Sequence, residues 1–307
     1  MPLAKEDLAR FNLTVTALLL CTFTPRETAD RNQELYQRPA NLLSMPLANL
    51  QTLIDWETGM KDALRPLSDQ PGAPDPDTIL ATVGKHAQHI EGDQPRTLYP
   101  DVLEHAYEQA ADELGLKWTQ RDAELFGYSC PRWPEFPDSA DALKKLHELG
   151  FKLTVLSNVD NRSFEGTRRV LERGFNFDAV YTAADIGSYK PSAQNFEYAM
   201  SKDFDQFGTE PREILIVANS KLHDLEPGRK LGFKGAWIDR KGAHLGVTGQ
   251  EDFEPDWTFS SMADFADTVS SVLGGKPIHA SKSDEANQVL TNDEEACKPH
   301  FPLSTAC

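Results

Sequence analysis

At 307 residues the chain is long enough to bury a full core as one large domain or two smaller ones. Its 48 acidic against 31 basic residues give a net charge of −17, which repels nucleic-acid phosphates and anionic lipid and excludes binding to either as the expected role. A small anionic substrate is not excluded, because the field inside a pocket can differ from the global one. Cys21, Cys130, Cys297 and Cys307 are too few and too scattered for a disulfide framework or a zinc site, so a reducing, cytoplasmic setting is expected.

In chain order, the first apolar run is Leu13–Phe23 (LTVTALLLCTF), about half the length of a membrane span. Balanced charges precede it and no A-x-A site follows, so it reads as a buried strand rather than a signal peptide. Residues 60–137 carry helical patterns and no convincing strand. Within them, YPDVLEHAYEQAADEL (99–114) sets Val102, Leu103, Ala106, Tyr107, Ala110 and Leu114 on one face. A Pro- and Asp-rich break at 70–77 separates it from the preceding helix, and PRWPEFPD (131–138) suits a stiff hinge. His86 and His89 share a helical stretch but lack further zinc ligands, so they are expected to be solvent-exposed.

Beyond that block, apolar runs of strand length alternate with amphipathic stretches. A helix over 138–149 is expected, with Asp138 and Ser139 as cap candidates. Strands follow at FKLTVL (151–156), DAVYT (178–182), EILIVA (213–218) and GAWI (235–238), with helices at 162–173, 192–203 and up to Leu231-Gly232. Residues 255–273 read as a short strand and a last helix. This repetition predicts βαβ units and a doubly wound parallel sheet, buried on both faces. From Gly274 the chain is polar, acidic and aperiodic, and a disordered tail over 274–307 is expected.

Ligands of such sheets bind beyond the carboxyl ends of the strands. There stand Ser157-Asn158, then Ser188-Tyr189-Lys190-Pro191, then Asn219, Ser220, His223 and Asp224. Taken singly, these read as a helix cap, a surface turn and a capping acid beside a solvated histidine. A hydroxyl, a lysine and an acid at consecutive strand ends are more specific. With TLIDWETG (52–59), RWPEFPDS (132–139), GSYKPSAQNFEYA (187–199) and HDLEPGRKLGFKGAWIDRKGAHLG (223–246), the chain resembles the haloacid dehalogenase superfamily, and within it the type II 2-haloacid dehalogenases.

The resemblance implies a Rossmann-like core over 138–273, a helical cap over 60–137 inserted after the first strand, and an atypical N-terminal segment over 1–59. It implies that Ser157 and Asn158 hold the substrate's anionic group. Lys190 would keep a nucleophilic carboxylate ionised, and Asp224 would orient that lysine. Ser220 and His223 would position substrate or water. The expected partner is a small carboxylic acid, with a homodimer left open. No cofactor is expected for a dehalogenase, and Mg²⁺ only for a phosphate-ester substrate.

One element departs from the pattern. The family's nucleophilic aspartate falls at Ala48 when aligned back from TLIDWETG, or at Cys21 if residues 13–24 form the first strand. A methyl group cannot form the aspartyl ester. Asp55 is the nearest acid and is expected to serve the turn entering the cap. Three explanations stay open: an N-terminal sequence altered by splicing, a catalytically silent binding protein that keeps the pocket, or chemistry carried by another residue.

Overall fold

The computed structural model describes residues 43–48, 50–240 and 253–276. The 13–24 run, with Cys21, and nearly all of the expected tail lie outside them.

Six strands form one wholly parallel sheet: β1 Leu43–Ala48, β2 Phe151–Ser157, β3 Ala179–Thr182, β4 Leu215–Ala218, β5 Lys234–Ile238 and β6 Trp257–Phe259. Their spatial order is β3-β2-β1-β4-β5-β6. The chain therefore winds outward from β1 in one direction, then returns to β1 and winds in the other. In sheets wound this way ligands bind beyond the strand ends where the direction reverses, which here is between β1 and β4. β1 pairs along its whole length with β2, Leu43 opposite Phe151 and Ala48 opposite Leu156, so Ala48 ends a central strand. Strands β2 and β4 are almost entirely buried, as expected of short β-branched and leucine-rich runs covered on both faces.

Between β1 and β2 runs a helical block: α1 Trp56–Ala63, α2 Pro76–Asp93, α3 Tyr99–Glu113 and α4 Gln120–Gly127. Asp55 caps α1, accepting the Thr58 N–H, while Asp75 caps α2 and Pro76 starts it, a favoured first residue. Three-residue apolar spacing buries Val102, Leu103, Ala106, Tyr107 and Ala110 of α3. His86 of α2 is not solvent-exposed as its sequence context suggests. It is half-buried with Nε2 2.8 Å from Glu113, a contact across two helices.

Two strands of chain cross between block and sheet. Ile54 and Glu135 form an antiparallel bridge, Asp55 N–H donates to Pro134 O and Phe136 N–H to Leu53 O. Gly59 faces the Trp133 ring so closely that a Cβ would lie 2.4 Å from it, which fixes α1 against the returning strand. Arg240, just after β5, binds both crossings. Its guanidinium donates twice to Thr52 O and once to Asp138 Oδ1 at 2.6 Å, and stacks on Phe136.

The sheet is flanked by α5 Ser139–Glu148, α6 Asn161–Leu171, α7 Ala193–Phe207 and α8 Met262–Val272. Asp138 precedes α5 but makes no side-chain cap. Its carboxylate accepts instead from Arg240 and from the Ala263 N–H, and Ser139 donates its hydroxyl to Leu53 O. The capping expectation fails there because stronger, distant donors reach the same oxygens. No helix among the described residues is long and apolar enough to cross a membrane.

Candidate functional site

Lys190 is the deepest cation among the described residues, its side chain 1% exposed. A short helix, Ala183–Ile186, closes on Gly187 in the left-handed conformation (φ 73°), which turns the chain toward the sheet. Side chains then pin the segment: Asn195 donates to Ser188 O at 2.6 Å and Tyr189 Oη donates to Thr97 O at 2.7 Å. Asn158 grips the lysine's own backbone, accepting from Lys190 N–H at 2.8 Å and donating to Lys190 O at 3.1 Å. The side chain of Lys190 therefore has little freedom. Its Nζ donates to Leu156 O, one residue before the end of β2, at 2.9 Å, and to Asp224 Oδ1 at 2.7 Å.

Asp224 reaches that position by an unusual turn. After β4, Lys221–Leu225 wind as a π-turn, and Ser220 caps it by accepting the His223 N–H at 3.1 Å. The same Ser220 hydroxyl lies 3.1 Å from His223 Nδ1. When the hydroxyl gives its proton to Nδ1, the proton of the neutral ring is on Nε2. Burial holds the His223 pKa below its ordinary value and Lys190 adds to that, against the pull of Asp224. Asn219 N–H donates to Thr52 Oγ1, its amide donates to Ile238 O, and its buried Oδ1 has no partner among the described residues.

All six residues singled out in the sequence thus stand at the carboxyl end of the sheet. Ser157, Lys190 and Asp224 are buried to within 2% of completely. Asn158 serves the lysine's backbone, and Ser220 and His223 serve the turn that presents Asp224. Two groups escaped the sequence reading. Thr97 meets Tyr189 from the helical block and Glu91 stands on the last turn of α2, while Asn219, already named among the strand-end residues, ties β1's exit to β5. Glu91 is partly buried, and burial raises its pKa to about 8 although the Lys190 charge opposes the rise.

These residues do not fit Mg²⁺. A hard dication of that size takes carboxylate oxygens in octahedral array. Here Asp224, the carboxylate presented after β4, is bound to an ammonium, its neighbours are Asn219 and Ser220, and no group of three or more His, Cys, Asp or Glu side chains converges among the described residues.

Residues 52–238 match the model of the haloacid dehalogenase-like hydrolases. The chain belongs to that family. The (S)-2-haloacid dehalogenase 4A of Burkholderia cepacia is 29% identical over 107 residues, 35% of this chain and 44% of the relative. The (S)-2-haloacid dehalogenase H-109 of Pseudomonas putida is 26% identical over 148 residues, 47% of this chain and 64% of the relative. The chain thus spans less than two thirds of either. A pyrophosphatase PpaX of Halalkalibacterium halodurans is 27% identical over 129 residues, 42% of this chain and 57% of the relative. The solved L-2-haloacid dehalogenase of Xanthobacter autotrophicus superposes with a TM-score of 0.60 at 19% identity, covering 74% of this chain and 98% of that one. The fold is therefore the Rossmann-like fold of those enzymes.

Proposed function

We propose that this haloacid dehalogenase-like hydrolase acts on a small carboxylic acid, displacing a leaving group from the carbon next to the carboxylate. The observation that carries the reading is the buried Lys190–Asp224 pair, anchored on Leu156 O at the end of β2. A fully desolvated ion pair is costly to bury and rarely repays its cost in stability alone, so its presence in a crevice favours a role in binding or chemistry. The helical block is the cap of that crevice, and the Arg240-clasped crossings are its hinge. Ser157 supplies the hydroxyl for the substrate's carboxylate, with Lys190 beside it neutralising charge. Asp224 and Asn158 orient the lysine, and Ser220 with His223 position substrate or water. The free thiol of Cys130 agrees with a reducing, cytoplasmic setting.

The family's ester route needs an aspartate where β1 ends, and Ala48 stands there. A second reading, a silent fold that binds a small acid or a partner without turning over, rests on that residue. Purified protein incubated with 2-chloropropionate and with a general phosphate ester separates the readings. Halide release that disappears in Lys190→Ala establishes the hydrolase. Ligand-induced stabilisation by propionate without turnover establishes the binding protein.

A further inference from the structure

We propose that Tyr189 is a catch between the helical block and the site: its hydroxyl fastens the α2–α3 connection to the segment that carries Lys190, and the block covers the Lys190–Asp224 pair while that bond is made. The part played by a bound acid rests on the small-acid reading above; the catch itself does not.

The block meets the core in two different ways. Where the chain crosses, at 53–55 and 134–136, the joint is backbone. Asp55 N–H donates to Pro134 O at 2.8 Å and Phe136 N–H to Leu53 O at 3.0 Å, and Arg240 clamps both crossings. Close by in sequence, a Cβ on Gly166 of α6 would lie 2.4 Å from Pro131 Cα, so backbone packs on backbone there as well. At the α2–α3 connection the contact is made by side chains. Tyr189 Oη donates to Thr97 O at 2.7 Å, across 92 residues of sequence, and Arg96 Cγ lies 4.0 Å from where a Cβ on Gly187 would stand. A joint of backbone bonds holds its geometry, whereas one made by a phenol opens when that phenol lets go.

The tyrosine is suited to this task. Its ring is buried in the apolar cluster that also takes in Ile90 of α2 and Trp133, a task phenylalanine would perform as well. The hydroxyl is what reaches the block. Burial pushes that phenol well above its ordinary value, so it stays protonated and remains a donor. The segment behind it cannot follow the block outward. Asn195 holds Ser188 O at 2.6 Å, Asn158 holds Lys190 N–H and O at 2.8 and 3.1 Å, and Asp224 holds the ammonium at 2.7 Å. Movement of the block away from the core therefore breaks the Tyr189–Thr97 bond and leaves Lys190 in place. Once it is broken, both partners can hydrogen-bond to water, so the opening is reversible. The bond's net contribution shifts the closed-to-open ratio by about two- to tenfold. That is enough to set how long a small acid stays beneath the block without sealing it in.

Hydrogen exchange of single amides in the full chain tests the catch without turnover. Thr97 N–H, bonded to Gln94 O at 2.9 Å, reports on the block side, Lys190 N–H on the core side, and Asp55 and Phe136 N–H on the crossings. Tyr189→Phe keeps the ring's packing and removes the bond. Exchange at Thr97 is expected to rise about two- to tenfold, with Lys190, Asp55 and Phe136 unchanged. Propionate slows Thr97 exchange in the original protein and dissociates about two- to tenfold faster from the variant. Unchanged exchange at Thr97 overturns the catch. So does a rise shared by Thr97, Lys190 and both crossings, which would mark the hydroxyl as support for the fold as a whole. If propionate neither binds nor slows exchange, the small-acid reading falls, and the amide rates still decide the catch.

Discussion

Two buried carboxyls lie on opposite sides of the argument about what this molecule is built to do. Asp224, at the carboxyl end of the sheet, is 2% exposed and bound to an equally buried ammonium. Asp203, on α7 against β2 and β3, is fully buried and has no cation partner among the described residues. It accepts the Tyr181 hydroxyl at 2.7 Å and the Thr154 hydroxyl at 3.4 Å, and burial pushes it up to about 8. The second solution is the economical one for a structural acid, since at neutral pH the group stays protonated and no charge is desolvated. The first keeps two charges in the interior, where the desolvation cost commonly exceeds the Coulombic gain. A fold that needed only to fill space at Asp224 had the cheaper arrangement within its repertoire. The charges at 190 and 224 are retained where a substrate would meet them.

The sharpest way to break this contrast is to remove one charge of the pair. Lys190→Met leaves Asp224 buried without a cation and is expected to cost about 3–5 kcal/mol of stability, read as a drop in the urea midpoint. Lys190→Met combined with Asp224→Leu is expected to recover most of that loss while remaining inactive, because both charges are then gone. A double variant as unstable as the single one would show that packing around the aliphatic stem, not the charge, holds the loop, and the contrast with Asp203 would collapse.

Asp203 offers a smaller and opposite effect. Its folded pKa of about 8 lies above the ordinary 3.8, so the folded state holds a proton that the unfolded chain has lost over that interval. Its contribution to stability is complete below the unfolded value, declines as pH rises between roughly 4 and 8, and is gone above the folded value. Asp203→Asn keeps an acceptor for Tyr181 and cannot ionise. It is expected to cost about 1 kcal/mol at pH 5 and to flatten the fall in melting temperature between pH 5 and 8. A variant with an unchanged slope would mean that Asp203 is already ionised at neutral pH.

How much of this was legible in the sequence differs by kind of interaction. FKLTVL and EILIVA announce strands because their apolar runs are too short for helices and too continuous for a one-sided sheet, and the order of Ser157, Lys190 and Asp224 along them marks one end of a parallel sheet. The second run starts later than its sequence suggests, at Leu215, because Pro211–Glu213 form a 3₁₀ turn in which Glu213 accepts from Glu210 N–H. What was hidden depends on partners distant in sequence. Asp138 reads as a helix cap until Arg240, 102 residues away, takes its carboxylate. His86 reads as exposed until Glu113 arrives from the next helix. The π-turn at Lys221–Leu225 has no local signal, since its sequence reads equally well as the first turn of an α-helix.

That turn supplies the smallest test. Ser220 closes it with one hydroxyl, accepting the His223 N–H and facing Nδ1, both at 3.1 Å. Ser220→Ala removes both contacts without creating a charge, so its expected cost is that of a lost cap, about 0.5–1 kcal/mol. The effect on the histidine is more telling than the effect on stability. Without the hydroxyl, nothing at Nδ1 selects the Nε2–H tautomer, and both tautomers should populate in the ¹⁵N shifts of the ring. Should the ring remain a single tautomer, the backbone of the π-turn rather than Ser220 would be orienting it. The stiffness that presents Asp224 to Lys190 would then reside in the turn itself, leaving the ion pair as a consequence of the fold and weakening its claim to be retained for chemistry.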